Sequence, residues 1–119
     1  MRVLHHLEQS RSFRILWAME ELGLDYEVQY YQRQPNLSAP PALKQIHPLG
    51  KAPILTDQEQ VLAESAAILE YLQESYDEQQ QFRPKDPADK AQYRYWMHYA
   101  EGSLMPLLVM QLVMTTVPK

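Results

Sequence analysis

Residues 2 to 31 change their hydrophobic period twice, and that change constrains the fold more than any other feature of the chain. Arg2 to Leu7 reads as a short strand. From Ser12 to Leu22 the apolar residues Ile15, Ala18, Met19 and Leu22 recur at i, i+3, i+4 and i+7, the spacing of one helix face. Gly23 stands where such a helix ends in a left-handed residue, the conformation glycine adopts at least cost. Tyr26-Glu27-Val28-Gln29-Tyr30-Tyr31 is then rich in strand formers. Strand, helix and strand joined by short connections imply a right-handed crossover between parallel strands.

Gln34 to Pro41 holds three prolines and no periodicity, so it is expected to be a loop leading to a short helical stretch at Ala42 to Ile46. Ile54 to Thr56 and Val61 to Ala63 read as two further strands. The short spacing between them, Asp57-Gln58-Glu59-Gln60, favours an antiparallel hairpin over a crossover. Ser65, Ile68, Leu69, Leu72 and Tyr76 repeat at helical spacing. The expected first domain, residues 1–77, is therefore an α/β domain of order β-α-β-α-β-β-α with a mixed four-stranded sheet. Polar residues 78–88, with Pro84 and Pro87, read as a linker. A helix is expected to begin near Ala88, with Tyr93, Trp96, Met97, Ala100 and Leu104 along one side. It continues past Pro106, which should kink it, to Met114. Its apolar face lacks a covering surface in the sequence, so residues 89–119 are expected to be the first helix of a truncated all-helical domain.

Composition closes off several classes of function. A chain of 119 residues with 45% hydrophobic and 22% charged residues suits a soluble globular domain plus a remainder. Its net charge of −4 is spread along the chain without a basic stripe, which argues against nucleic acid as a partner. Absence of cysteine removes disulfides, thiolate metal sites and protein-thiol redox chemistry, so any reactive thiol must come from a ligand. His5, His6, His47 and His98 do not fall at metal-ligand spacing, and no metal is expected. Met1 to His6 carries no apolar signal core, and the apolar run from Leu104 to Met114 is about half the ~20 residues of a membrane span. The expected compartment is the cytoplasm, with no membrane partner.

Two short motifs carry the chemistry. Pro53, in Gly50-Lys51-Ala52-Pro53-Ile54, has no backbone NH and suits the first residue of a strand or a turn; the isomer of its peptide bond is not legible in sequence. Glu64 and Ser65 fall where the last strand gives way to a helix, beside the free NH groups of the helix start. By themselves Glu64 and Ser65 read equally as residues that complement a helix dipole, and Ser10 or Ser12 as a cap of the first helix.

The order of elements, the Pro53 turn, the Glu64-Ser65 pair and Ser10-Arg11-Ser12-Phe13-Arg14 together resemble the glutathione S-transferase family over residues 1 to about 77. The phrase Arg14-Ile15-Leu16-Trp17-Ala18-Met19-Glu20-Glu21-Leu22-Gly23 is most similar to its bacterial and fungal serine-type members. The resemblance implies a thioredoxin-like fold that binds glutathione as co-substrate. It also implies a hydrophobic electrophile as second substrate in a detoxifying conjugation, and a homodimer in the full-length form.

Carried over residue by residue, the resemblance makes Ser10 the hydroxyl that donates to the glutathione thiolate, with Ser12 in reserve. A free thiol, with pKa ~8.5, is mostly protonated at neutral pH, and a donor beside a helix start increases its thiolate fraction. Glu64 would meet the ligand's amino group and Ser65 its γ-glutamyl carboxylate. The backbone of Ala52, before a cis Pro53, would pair with the cysteinyl part in the manner of an added strand. Lys51 would meet the glycyl carboxylate or remain a solvated loop lysine, and Gln34 would face the same end. His47 could touch the ligand or simply lie on the surface. Tyr93, Trp96, Met97 and Tyr99 could wall the electrophile site or pack in a core. A glutathione-binding or interaction module without turnover, and an inactive fragment, are the competing readings.

Overall fold

The computed structural model describes residues 1–118, which divide into two compact units, residues 1–78 and residues from 79 onward. In the first, β1 (Arg2–Leu7), α1 (Ser12–Glu21) and β2 (Glu27–Tyr31) form the expected crossover unit. A 3₁₀ helix (Pro41–Gln45), the hairpin of β3 (Ile54–Asp57) and β4 (Gln60–Ala63), and α2 (Ser65–Tyr76) follow. The sheet order is β2-β1-β3-β4, with β1 parallel to β2 and antiparallel to β3, and β3 antiparallel to β4. This is the mixed four-stranded sheet expected from the sequence.

The helical period of α1 is spent on burial: Ile15 and Met19 are fully buried, and Ala18 and Leu22 pack against the same cluster. Leu4 of β1 and Leu55 of β3, register partners, join them with Ile68 and Leu72 of α2. Both helices thus cover one face of the sheet, the face of Leu4 and, by strand alternation, of His6. Gly23 ends α1 at φ +66°. Its NH donates to Glu20 O at 3.0 Å and the Leu24 NH to Met19 O at 3.1 Å, the paired bonds that satisfy the last carbonyls of a helix closed by a left-handed residue.

Asp57 fastens α2 to β3. The sequence pattern puts it in the hairpin turn, but it closes β3 opposite Gln60 and is buried. Its Oδ2 accepts hydrogen bonds from the Tyr71 hydroxyl, at 2.9 Å, and from the Tyr76 hydroxyl. The Arg2 guanidinium lies 4.6 Å from the centre of the Tyr76 ring, and its Nε donates to Asp25 O at 3.0 Å. Burial, reinforced by the bond to Asp57, pushes the Tyr71 phenol up to about 12.

Two local expectations change. The helical stretch at Ala42 to Ile46 is a 3₁₀ helix over Pro41–Gln45, entered through Pro40 and too short to build the α-helical ladder. The single helix expected from near Ala88 is interrupted. In the second unit α3 (Lys90–Tyr99) passes through a π segment, Ala100–Leu104, into α4 (Met105–Thr115). Pro106 has no NH to give to the carbonyl of Gly102, and the widened turn, Ala100–Leu104, ends two residues before it.

No described residue from 79 onward is buried. Tyr95, Trp96 and Tyr99 stack and cross edge-to-face, with centroids 4.9–6.0 Å apart, yet Trp96 stays 58% exposed. Of the Tyr93, Trp96, Met97 and Tyr99 group, Tyr93, Met97 and Tyr99 are half-buried and Trp96 is exposed, and the ring contacts join Trp96 and Tyr99 to Tyr95. Among the described residues no helix is long and apolar enough to cross a membrane.

Candidate functional site

α2 begins at the end of β4 through a backbone that only a constrained residue adopts. Glu64 has φ 73° and ψ 115°, a left-handed φ that costs a non-glycine residue on the order of 1 kcal/mol or more. The turn carries the chain from strand to helix in one residue. The first helical bond, Ile68 NH to Glu64 O at 2.9 Å, follows directly. The Glu64 side chain makes no capping bond, so its carboxylate stays at the mouth of the helix without closing it.

Across from this turn the chain enters β3 through a cis Ala52–Pro53 peptide. The two segments, with the start of α1, enclose a cleft of about 150 Å³ lined by Arg11, Leu49, Lys51, Ala52, Pro53, Ala63, Glu64 and Ser65. Gly50 aims the loop into this wall from φ +62°, its NH donating to His47 O at 2.9 Å. The cleft combines two cationic side chains, one carboxylate, a helix start and the strand entry at half-buried Ala52 and buried Pro53. Such a set complements a small zwitterionic peptide: carboxylates at the helix start and the cations, an ammonium at Glu64.

Five of the seven residues singled out in the sequence therefore meet in one place: Lys51, Ala52, Pro53, Glu64 and Ser65. Ser10 and Gln34 are not among the lining residues. Ser10 adjoins Arg11, which is. Gln34 belongs to a loop folded on itself: its NH donates to Ser38 O at 2.9 Å, and its Oε1 accepts from the Ser38 hydroxyl at 3.2 Å. Arg33 ties that loop down by donating to the carbonyls of Glu8, Gln9 and Leu37. His47 is engaged locally, its Nδ1 accepting from the Leu49 NH at 3.2 Å. Arg11 was not anticipated from the sequence; its one signal was a basic residue between two serines at a helix start.

The two serines occupy different environments. Ser12 is completely buried, whereas Ser10 is half-buried. The Ser10 hydroxyl lies 2.7 Å from Leu7 O and 2.6 Å from Ser12 Oγ, which in turn lies 2.7 Å from His6 Nδ1. Burial lowers the pKa of His6 below the usual imidazole value, and that of its neighbour His5 likewise, which favours the uncharged ring at both positions.

A parallel crossover unit followed by an antiparallel hairpin and a last helix, with a cis proline facing that helix's start, defines a thioredoxin-like domain. Residues 1–74 match the family model described as "Glutathione S-transferase, N-terminal domain". A glutathione S-transferase 3 of Schizosaccharomyces pombe is 46% identical over 108 residues, covering 91% of this chain and 44% of the relative. A crystal structure of a glutathione S-transferase from Actinobacillus pleuropneumoniae superposes with a TM-score of 0.77 at 47% identity, covering 81% of this chain and 46% of that one. A theta-class enzyme from Xanthomonas axonopodis pv. citri, crystallised with glutathione bound, superposes with a TM-score of 0.68 at 28% identity, over 86% of this chain and 49% of its own. The chain belongs to the glutathione S-transferase family. It spans about half the length of the curated relatives it matches.

Proposed function

We propose that residues 1–78 bind glutathione in the cleft between the Ala52–Pro53 peptide and the start of α2. In the whole protein, the bound thiolate is conjugated to a small hydrophobic electrophile. The γ-glutamyl carboxylate lies on the Ser65 hydroxyl and NH, and its ammonium on Glu64. The backbone of Ala52 pairs with the cysteinyl residue, and Lys51 and Arg11 serve the carboxylate ends. Ser10 donates its hydroxyl hydrogen to the sulfur and stabilises the anion without acting as a nucleophile. Ser12, fully buried and bonded on every side, is the weaker candidate for that role.

The observation that carries this reading is the left-handed turn at Glu64. Backbone strain of this kind persists where the surrounding structure enforces it, commonly at ligand sites. Here it sets a carboxylate, a hydroxyl and helix NH groups at one wall of a cleft whose other wall is the cis Ala52–Pro53 peptide.

Calorimetric titration of the folded chain with glutathione tests it. Saturable binding is expected, and Glu64→Ala should weaken it by at least about tenfold, the loss of one charge-assisted contact. The thermal midpoint should not fall. A cooperatively folded chain that binds no glutathione overturns the reading, and equal affinities for the two proteins remove Glu64 from the site.

A further inference from the structure

The short contacts around Ser10 and Ser12 limit the ways in which their hydrogens can be shared. Ser12 Oγ receives the Leu7 NH at 3.2 Å and approaches His6 Nδ1 at 2.7 Å and Ser10 Oγ at 2.6 Å. Ser10 Oγ receives the Ser12 NH at 3.1 Å and approaches Leu7 O at 2.7 Å. A serine hydroxyl has one hydrogen to give and two lone pairs with which to accept.

If Nδ1 carries no hydrogen, Ser12 must donate to it. Ser10 then has one hydrogen for two short contacts, so either the contact to Ser12 or the contact to Leu7 O is left as two oxygens in close approach. If Nδ1 carries a hydrogen, every short contact is satisfied once. His6 donates to Ser12, Ser12 to Ser10, and Ser10 to Leu7 O; the 3.2 Å approach of Ser12 Oγ to the same carbonyl is then no hydrogen bond. Both hydroxyls have both lone pairs filled in this arrangement. The ring of His6, edge-on to Tyr30 with centroids 5.8 Å apart, sits on the sheet face that α1 covers.

We propose that His6, held as its Nδ1–H tautomer, is a positioning residue that acts through the buried Ser12 to make the Ser10 hydroxyl a donor only. A Ser10 oxygen with no free lone pair cannot accept from a thiol S–H. Its hydrogen can turn from the Leu7 carbonyl to a sulfur anion, so the arrangement favours thiolate over thiol. This inference rests on the reading of Ser10 as the group that faces the glutathione sulfur.

The test is the pKa of glutathione's thiol when bound to the full 119-residue chain, followed by thiolate ultraviolet absorbance across a pH series. His6→Leu removes the donor and should raise that pKa by about one unit, a roughly tenfold loss of thiolate below it. His6→Asn, whose amide can place an N–H near the position of Nδ1, should restore it to within about twofold in thiolate fraction. A merely structural role would instead lower the thermal midpoint and leave the bound thiol's pKa unchanged.

Ser10→Ala is measured in parallel. If it raises the thiol pKa and folded His6→Leu does not, the proposal for His6 falls while the reading of Ser10 stands. If Ser10→Ala has no effect, both fall. Nitrogen NMR of the imidazoles in the unaltered chain decides independently of whether any variant folds. A hydrogen on His6 Nδ1 is expected, and a hydrogen on Nε2 with a bare Nδ1 overturns the proposal.

Discussion

α2 and α4 are nearly equal in length, 12 and 11 residues, and α4 is the more apolar, yet only α2 belongs to a core. In α2, Ile68 and Leu72 are fully buried against Leu4, Ile15, Met19 and Leu55, while Glu70 and Glu74 lie off that stripe. In α4, Leu107, Met110, Leu112 and Met114 are each more than half exposed, and apolar residues surround the helix with Gln111 as the one interruption between Met105 and Met114. Burial follows from a stripe that matches a neighbouring surface, not from apolar content alone. A helix apolar all round has no preferred side until something covers it.

The largest effects should separate these helices. Leu72→Ala deletes a buried side chain and is expected to cost about 2–5 kcal/mol of unfolding free energy by urea denaturation. Leu112→Ala, at a side chain 65% exposed, should fall within about 0.5 kcal/mol. A cost at Leu112 approaching that at Leu72 would break the contrast, because the face of α4 would then have to be covered in solution.

Next in size is the fastening of α2 by Asp57. Asp57→Ala leaves two tyrosine hydroxyls without their shared acceptor and should cost about 2–3 kcal/mol, the range for losing bonds to a buried charged group. Tyr71 adds a pH signature. Its phenol is pushed up to about 12 in the folded chain from the ordinary phenol value of 10.0, so the folded state holds that proton more tightly. The stabilisation is complete below pH 10 and is lost as pH rises through 12. Tyr26, raised to about 12 chiefly by its 2.7 Å bond to Glu20, contributes in the same window. Tyr71→Phe should therefore flatten part of the alkaline loss, read from thermal midpoints between pH 9 and 12, and an unchanged slope would show that burial and the bond to Asp57 do not together hold the Tyr71 proton.

Much of this was legible in residues. The period of Ile15 and Met19, the stop at Gly23 and the spacing of the hairpin all follow from local rules, and local rules sufficed for the sheet. Of the five cleft residues, Pro53, Glu64 and Ser65 were legible at element boundaries, where side chains and free backbone groups converge, whereas Lys51 and Ala52 enter only through the family resemblance. Arg11 was not legible, because a basic residue at a helix start has no periodic signature and its place in the cleft depends on segments about 40 to 50 residues further along the chain. Asp57 misled for a similar reason: aspartate favours turns, and only the two tyrosines of α2, 14 and 19 residues away, explain a buried carboxylate inside a strand. His6 is the same kind of case, since strand alternation predicts which face it takes but not that a serine hydroxyl waits there.

The smallest effects set one glycine of each unit against the other, with opposite signs. Gly50 has φ +62°, and a Cβ there would stand 2.5 Å from Lys44 Cγ. Gly50→Ala should cost roughly 1–2 kcal/mol for the left-handed backbone, plus a few tenths for turning the flexible lysine aside. Gly102, inside the π segment, has an ordinary φ and open space where a Cβ would go. Gly102→Ala should stabilise the helical unit by roughly 0.5–1 kcal/mol, since alanine is the better helix former, and helicity by circular dichroism should rise. Repeating Gly50→Ala in a Lys44→Ala background separates its two contributions: the cost should drop only by the lysine's share. An equal cost in both backgrounds assigns the whole effect to the backbone, whereas a cost that vanishes with the lysine means that the loop before Lys51 can leave its left-handed turn, and the wall of the cleft is then less fixed than the strand it leads into.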